Sequence, residues 1–128
     1  MSNRLEARIE NKGSLLDKRG EPFIILIKDP LDKKYNFSKL SKDGLKKWQA
    51  FIDDTIGQNR TISEVDKLYL RMGSIKPNNR EFADTEEGGA LIIHYGKDNQ
   101  RFRVFGYYNE QNYFVLFRID EHHKVHET

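Results

Sequence analysis

An α+β fold is what this sequence predicts: two helices packed on an antiparallel sheet of about four strands. Three observations carry that expectation. Apolar residues recur at helical spacing between Ser41 and Gly73, in two runs that each begin at a capping residue and end at a glycine. Aromatic-rich strands fill residues 90–120 and are joined by short polar links. One β-branched apolar run, Phe23-Ile24-Ile25-Leu26-Ile27, precedes the helices.

Leu5, Ala7 and Ile9 alternate with Arg4, Glu6, Arg8 and Glu10, the period of a half-buried strand, with a helix as the alternative. Turn signals follow at Asn11-Lys12-Gly13 and Lys18-Arg19-Gly20-Glu21-Pro22. Residues 1–20 therefore read as an N-terminal extension holding a strand or hairpin, and residues 21–128 as a single domain. Phe23–Ile27, closed by Asp29-Pro30, reads as a buried strand. Ser41 is the expected N-cap of a helix to about Ile56, with Leu45, Trp48, Phe51, Ile52 and Ile56 facing the core and Gly57 as its C-cap. Thr61 and Glu64 form a capping box for a second helix. Its stripe is Ile62, Val65, Leu68, Tyr69 and Met72, and Gly73 ends it. Residues 74–89 read as an irregular connection, long enough to be a functional loop or to hide a strand. Strands follow at about Ala90–Tyr95, Arg101–Tyr108 and Tyr113–Asp120, and the short links force antiparallel hairpins.

Composition bounds the function. The chain has 128 residues, enough to bury roughly two thirds of its unfolded surface. Eight Phe and six Tyr argue against disorder and for a core built on aromatic-bearing strands. The absence of cysteine excludes disulfides, thiolate metal sites and a Cys nucleophile. The net charge of +2 divides into +4 over residues 1–60 and −2 over residues 61–128. Neither half is basic enough to predict nucleic-acid binding from bulk charge, so any anion site must come from local arrangement. No apolar run is long enough to span a membrane, and the start Met-Ser-Asn-Arg-Leu-Glu-Ala-Arg is too charged for a signal peptide. The cytoplasm is the expected compartment.

The last hairpin carries the one constellation with chemical promise. If it closes around Glu110-Gln111, Arg103 lies opposite Arg118 and Arg101 opposite Asp120. One face then holds Phe102, Val104, Gly106, Tyr108, Tyr113, Val115, Phe117 and Ile119, and packs on the helices. The other holds Arg101, Arg103, Phe105, Tyr107, Phe114, Leu116, Arg118 and Asp120. Like charges directly opposite are destabilising, and a phosphate would relieve them. Aromatics beside arginine suit stacked bases of single-stranded RNA. His122 and His123 continue off the strand as candidate proton carriers. The alternative is a wet strand face with a weak ion pair, aromatics in a second core layer and a solvated tail. His122, His123 and His126 with Asp120 and Glu121 are metal-ligand types, but they match no metal motif and no metal is expected.

The order of strand, two helices and three strands resembles the RelE/HigB/ParE superfamily of toxins. Gln100-Arg101-Phe102-Arg103-Val104-Phe105-Gly106-Tyr107-Tyr108 looks like that family's central R-x-R-V strand, and Phe114–Asp120 like the strand after it. The likeness covers residues 21–126 in element order and about 90–126 in residues. It implies metal- and cofactor-independent cleavage of messenger RNA by attack of the RNA's own 2′-hydroxyl, often on the ribosome, with a cognate antitoxin protein as partner. It implies catalytic roles for Arg103 on the scissile phosphate and for His122 or His123 as proton donor. Arg101, Arg118 and Lys124, with Tyr107 and Phe105, would bind the RNA. This chain is less basic than such enzymes and carries an additional N-terminal segment. The competing expectations are a non-enzymatic interaction module, such as an immunity, inhibitor or phage-encoded protein, and a nucleic-acid binder without chemistry.

Overall fold

A computed structural model of the chain describes residues 20–71, 81–85 and 88–124. The candidate N-terminal strand, Met72, Gly73 and His126 lie outside the described residues. The first strand, β1, is Ile25–Leu26, shorter than the apolar run that predicts it. Helix α1 spans Lys42–Thr55 and begins where expected, with the Ser41 side chain accepting from the Gly44 amide. Its buried line is Gly44, Phe51 and Thr55, with Trp48 half-buried between them. Leu45 and Ile56 are exposed instead, so the buried stripe sits about one position round from the predicted one. A 3₁₀ turn, Ile56–Gln58, extends the helix. The left-handed cap expected at Gly57 falls to Asn59, at φ 53°, a conformation asparagine tolerates.

Helix α2 spans Ile62–Tyr69 and starts with the predicted capping box, both Thr61–Glu64 bonds being present. Ile62, Val65 and Tyr69 are buried, whereas Leu68 is exposed. The helix stops earlier than its apolar pattern suggests. Leu70 turns extended and bridges to Tyr95, and the Arg71 amide donates to the His94 carbonyl.

The remaining strands are β2 (Phe82–Thr85), β3 (Gly88–Leu91), β4 (Ile93–Gly96), β5 (Arg103–Tyr108) and β6 (Phe114–Asp120). The main sheet has the order β1-β6-β5-β4. Its β4–β5 and β5–β6 ladders are antiparallel, while β1 joins β6 in parallel at the edge. Two helices and a four-stranded sheet make the fold α+β, as the sequence predicts. The segment before Ala90 does hide strands: β2 and β3 form a separate two-stranded hairpin. The single strand expected at Ala90–Tyr95 divides at Ile92, whose amide donates to the Glu81 carbonyl.

The register of β5 with β6 departs from the expected one in two steps. The turn is a three-residue loop, with Asn112 N donating to Asn109 O and Asn109 N to Tyr113 O. Asn112 takes the left-handed conformation at φ 64° that closes such a loop. Tyr108 therefore pairs with Phe114 and Tyr107 with Val115. The odd loop turns Phe114 and Leu116 toward the helices and Val115 away, the reverse of the expected faces. A bulge then follows: Gly106 pairs with Leu116, but Phe105 pairs with Arg118, which skips Phe117. A Cβ at Gly106 would run into the Val115 carbonyl and the Phe114 ring, so glycine permits this close approach. The bulge returns Ile119 to the helix side and Arg118 and Asp120 to the side of Arg103. Arg103 faces Asp120, not Arg118, and Arg101 does not pair with Asp120. The like-charge clash that the simple register implies does not exist.

Two cores result. Phe23, Phe51, Val65, Tyr95, Phe114 and Ile119 belong to the core between helices and sheet. Ala83, Ile92, Phe105, Tyr107 and Val115 form a second one between the sheet and the β2–β3 hairpin.

Candidate functional site

Arg103 and the residues flanking it and Asp120 lie at one end of the β5–β6 ladder, the Phe105–Arg118 pair lies further in and Tyr107 is near the turn, and they differ sharply in what they can reach. Arg103 opens β5 and is 7% exposed. Its Nη1 donates to three carbonyls of the β4–β5 connection: Gln100 at 2.6 Å, Phe102 at 2.9 Å and Lys97 at 3.2 Å. Burial, and then the nearby Arg71, push its pKa down, against Asp98 and Asp120. Through Nη1 this buried guanidinium braces the β4–β5 loop.

Arg118 is 5% exposed and held from two sides. It grips Glu81 through both terminal nitrogens, at 2.7 and 2.5 Å, and its Nε lies 3.4 Å from Asp32. Its guanidinium also covers the rings of Phe117 and Phe105, at 4.5 and 5.0 Å. Two carboxylates already neutralise this charge from inside the protein. Phe105 and Tyr107, expected to stack bases, are 1% and 6% exposed beneath the β2–β3 hairpin. His94 meets Phe105 edge-on at 4.8 Å. The aromatics make a second core layer, not an RNA platform.

Arg101 and Lys124 are exposed, and His123 is half-buried at φ 58°. His122 is 63% exposed, with Nε2 3.8 Å from Glu121. Because Arg103 pairs with Asp120, Arg101 on one side and residues 122–124 on the other both run past the same end of the ladder. Asp120 itself is fully buried.

A second cluster escapes the sequence reading. Tyr69 OH donates to Asp54, and Arg60 donates to the Asp54 carbonyl at 2.6 Å and to its carboxylate at 3.2 Å. The Tyr69 bond, working against partial burial, holds Asp54 below its ordinary pKa of 3.8, with Arg60 assisting. Burial and then Asp54 drive the Tyr69 phenol well above its usual range. Tyr95 donates to Asp66 at 2.6 Å and lies 2.6 Å from Tyr108, and burial raises both phenols. One signal pointed here: Asp53 and Asp54 occupy the last turn of α1, the end where the helix dipole disfavours anions. A carboxylate in that position needs a local partner.

No family model, curated protein or solved structure matches the chain. Its chemistry rests on the side chains themselves. Among the described residues, no group of three or more His, Asp or Glu side chains could hold a metal ion. No helix among them is long and apolar enough to cross a membrane.

Proposed function

We propose that the chain cleaves RNA as a RelE/HigB-like, metal-independent ribonuclease, acting through the exposed end of the β5–β6 ladder. The supporting observation is the register: Arg103 opposite Asp120 lets Arg101 and His122-His123-Lys124 continue past a common edge. Arg101 and Lys124 stabilise the charge that develops on the non-bridging phosphate oxygens. The 2′-oxygen attacks phosphorus and the bond to the 5′-oxygen breaks. One imidazole takes the 2′-hydroxyl proton and a proton is returned to the 5′-oxygen, leaving a 2′,3′-cyclic phosphate and a free 5′-hydroxyl. Arg103 positions the adjoining loop and does not touch phosphate in this scheme. Phe105, Tyr107 and Arg118 take no part. RNA, free or on the ribosome, is the substrate, and a cognate antitoxin protein is the expected partner.

The test is cleavage of end-labelled RNA in chelator. His123→Ala with His122→Ala is expected to lower the rate about 10²–10⁴-fold, and Arg101→Ala to weaken it, with unchanged circular dichroism. Full cleavage by the double histidine variant overturns the assignment. Arg103→Ala is a poor probe, because it removes a buried brace.

The rival is a non-enzymatic interaction module. Its support is indirect: Arg118 is held by two carboxylates and Phe105 and Tyr107 are buried, so none of the three is offered to RNA. It predicts no cleavage, no growth arrest on expression and a stoichiometric protein partner.

A further inference from the structure

The helix side of the molecule carries a cavity that the ribonuclease scheme does not use. It has a volume of about 220 Å³ and opens between α1, the end of α2 and the β4–β5 connection. That is below the size of pockets for drug-sized ligands and takes one ring, any further part of a ligand lying at the opening. Three kinds of group meet in it. Tyr69 and Phe102 supply aromatic wall. Lys97 stands with Nζ 5.6 Å over the Tyr69 ring centroid, and Lys47 lines the same opening, its Nζ 3.2 Å from Asp43. That pair is exposed and weak, so the ammonium is free to turn toward an anion.

Asp54 is the third group. Its carboxylate takes one bond from Tyr69 and one from Arg60. A carboxylate has about four acceptor sites, so room remains for a ligand N–H. The two bonds it already accepts keep it ionised and therefore an acceptor.

We propose that this cavity binds a single cytidine-type nucleotide, its ring against Tyr69 and Phe102, its amino group on Asp54 and its phosphate between Lys47 and Lys97. Ring, amine and anion each have one complementary wall. Cytosine presents an N4 amino donor that a carboxylate accepts, whereas uracil presents a carbonyl oxygen there and meets repulsion. The volume favours a pyrimidine over a purine. Arg103 gains a clear role in this arrangement: it holds the carbonyls of Lys97, Gln100 and Phe102, three residues of the cavity wall. Arg71 assists through its bond to the Gly96 carbonyl at 3.0 Å. Arg103 is thus a positioning residue for the cavity.

The experiment is a titration of the ¹⁵N-labelled full chain with CMP, UMP and inorganic phosphate, read by amide shifts. CMP is expected to give saturable shifts at Gly96, Lys97 and Gln100, and to bind at least about tenfold more tightly than UMP, the worth of one hydrogen bond to a charged group. Lys97→Ala, an exposed change, is expected to weaken CMP about fivefold or more. Asp54→Asn is expected to erase the preference over UMP. Absence of saturable CMP shifts at these amides, equal CMP and UMP affinity, or identical shifts from phosphate alone overturns the proposal. Unaltered CMP affinity in Lys97→Ala also overturns it, and that variant stands even if Asp54→Asn fails to fold. CMP has no internucleotide bond to cut, so this result and the RNA-cleavage result fail independently.

Discussion

Arg103 through Nη1, and Arg118 through both terminal nitrogens, are bonded inside the protein, and this shapes what each can do. A buried guanidinium bonded to three carbonyls costs stability when removed, because those partly buried acceptors lose their partner. Arg103→Ala is expected to lower the unfolding free energy by about 2–3 kcal/mol. Arg101→Ala, on the exposed neighbour two residues away, is expected to stay within about 0.5 kcal/mol. Urea denaturation of both variants checks the pair. Equal, small effects would mean that Arg103 is not a brace. The alternating Arg-x-Arg pattern singles out both side chains and offers no means of telling them apart. Their difference lies in the carbonyls of a loop that curls back over one of them.

At the scale of the element, α1 is fastened at its first turn to the end of β6. The Glu121 carboxylate accepts from the Ser41 amide at 2.9 Å and from the Ser41 hydroxyl, which in turn caps Gly44. Gly44 is needed for this approach, since a Cβ there would occupy the space of the Glu121 carboxylate. Burial alone would raise the Glu121 pKa, but the two bonds from Ser41 outweigh it and hold the group below its ordinary 4.5. A carboxylate depressed in the folded state contributes fully above its unfolded value. That contribution is lost as the pH falls through the lower folded value. The urea midpoint is therefore expected to fall less steeply from pH 5 to pH 3 in Glu121→Gln than in the parent. Parallel curves would remove the linkage. Ser41 and the Thr61–Glu64 box were readable because capping is local chemistry between residues three apart. The Glu121 contact spans 80 residues and leaves no local trace.

Across the whole molecule, the sheet is sandwiched between the helices and the β2–β3 hairpin, and Arg118 is the bolt through the second layer. It joins β6 to Glu81 just before β2, and to Asp32 in the loop after β1. Removing Glu81 leaves a buried cation with one distant partner. Because Glu81 is 34% exposed, the cost is expected to be about 2 kcal/mol rather than that of a fully buried pair. Adding Arg118→Met to Glu81→Ala is expected to cost less than the two single changes summed, since the stranded charge is then gone. Additive losses in thermal or chemical melts would show that the two residues act independently.

Periodicity and capping in the amino-acid sequence were sufficient for the α+β class, for both helix starts and for the last two strands, because each of these depends on residues a few positions apart. They did not determine which strand face carries which residue. That turned on one odd-length loop at Asn112 and one skipped residue at Phe117. A shift of a single position reverses every side chain in a strand, and only the packing of Phe114 and Leu116 against the helices selects the register. The parallel edge strand, the burial of Phe105 and Tyr107 and the meeting of Asp54 with Tyr69 were likewise settled in three dimensions. Each joins segments whose proximity exists only once the hydrophobic surfaces of helices, sheet and hairpin have closed on one another.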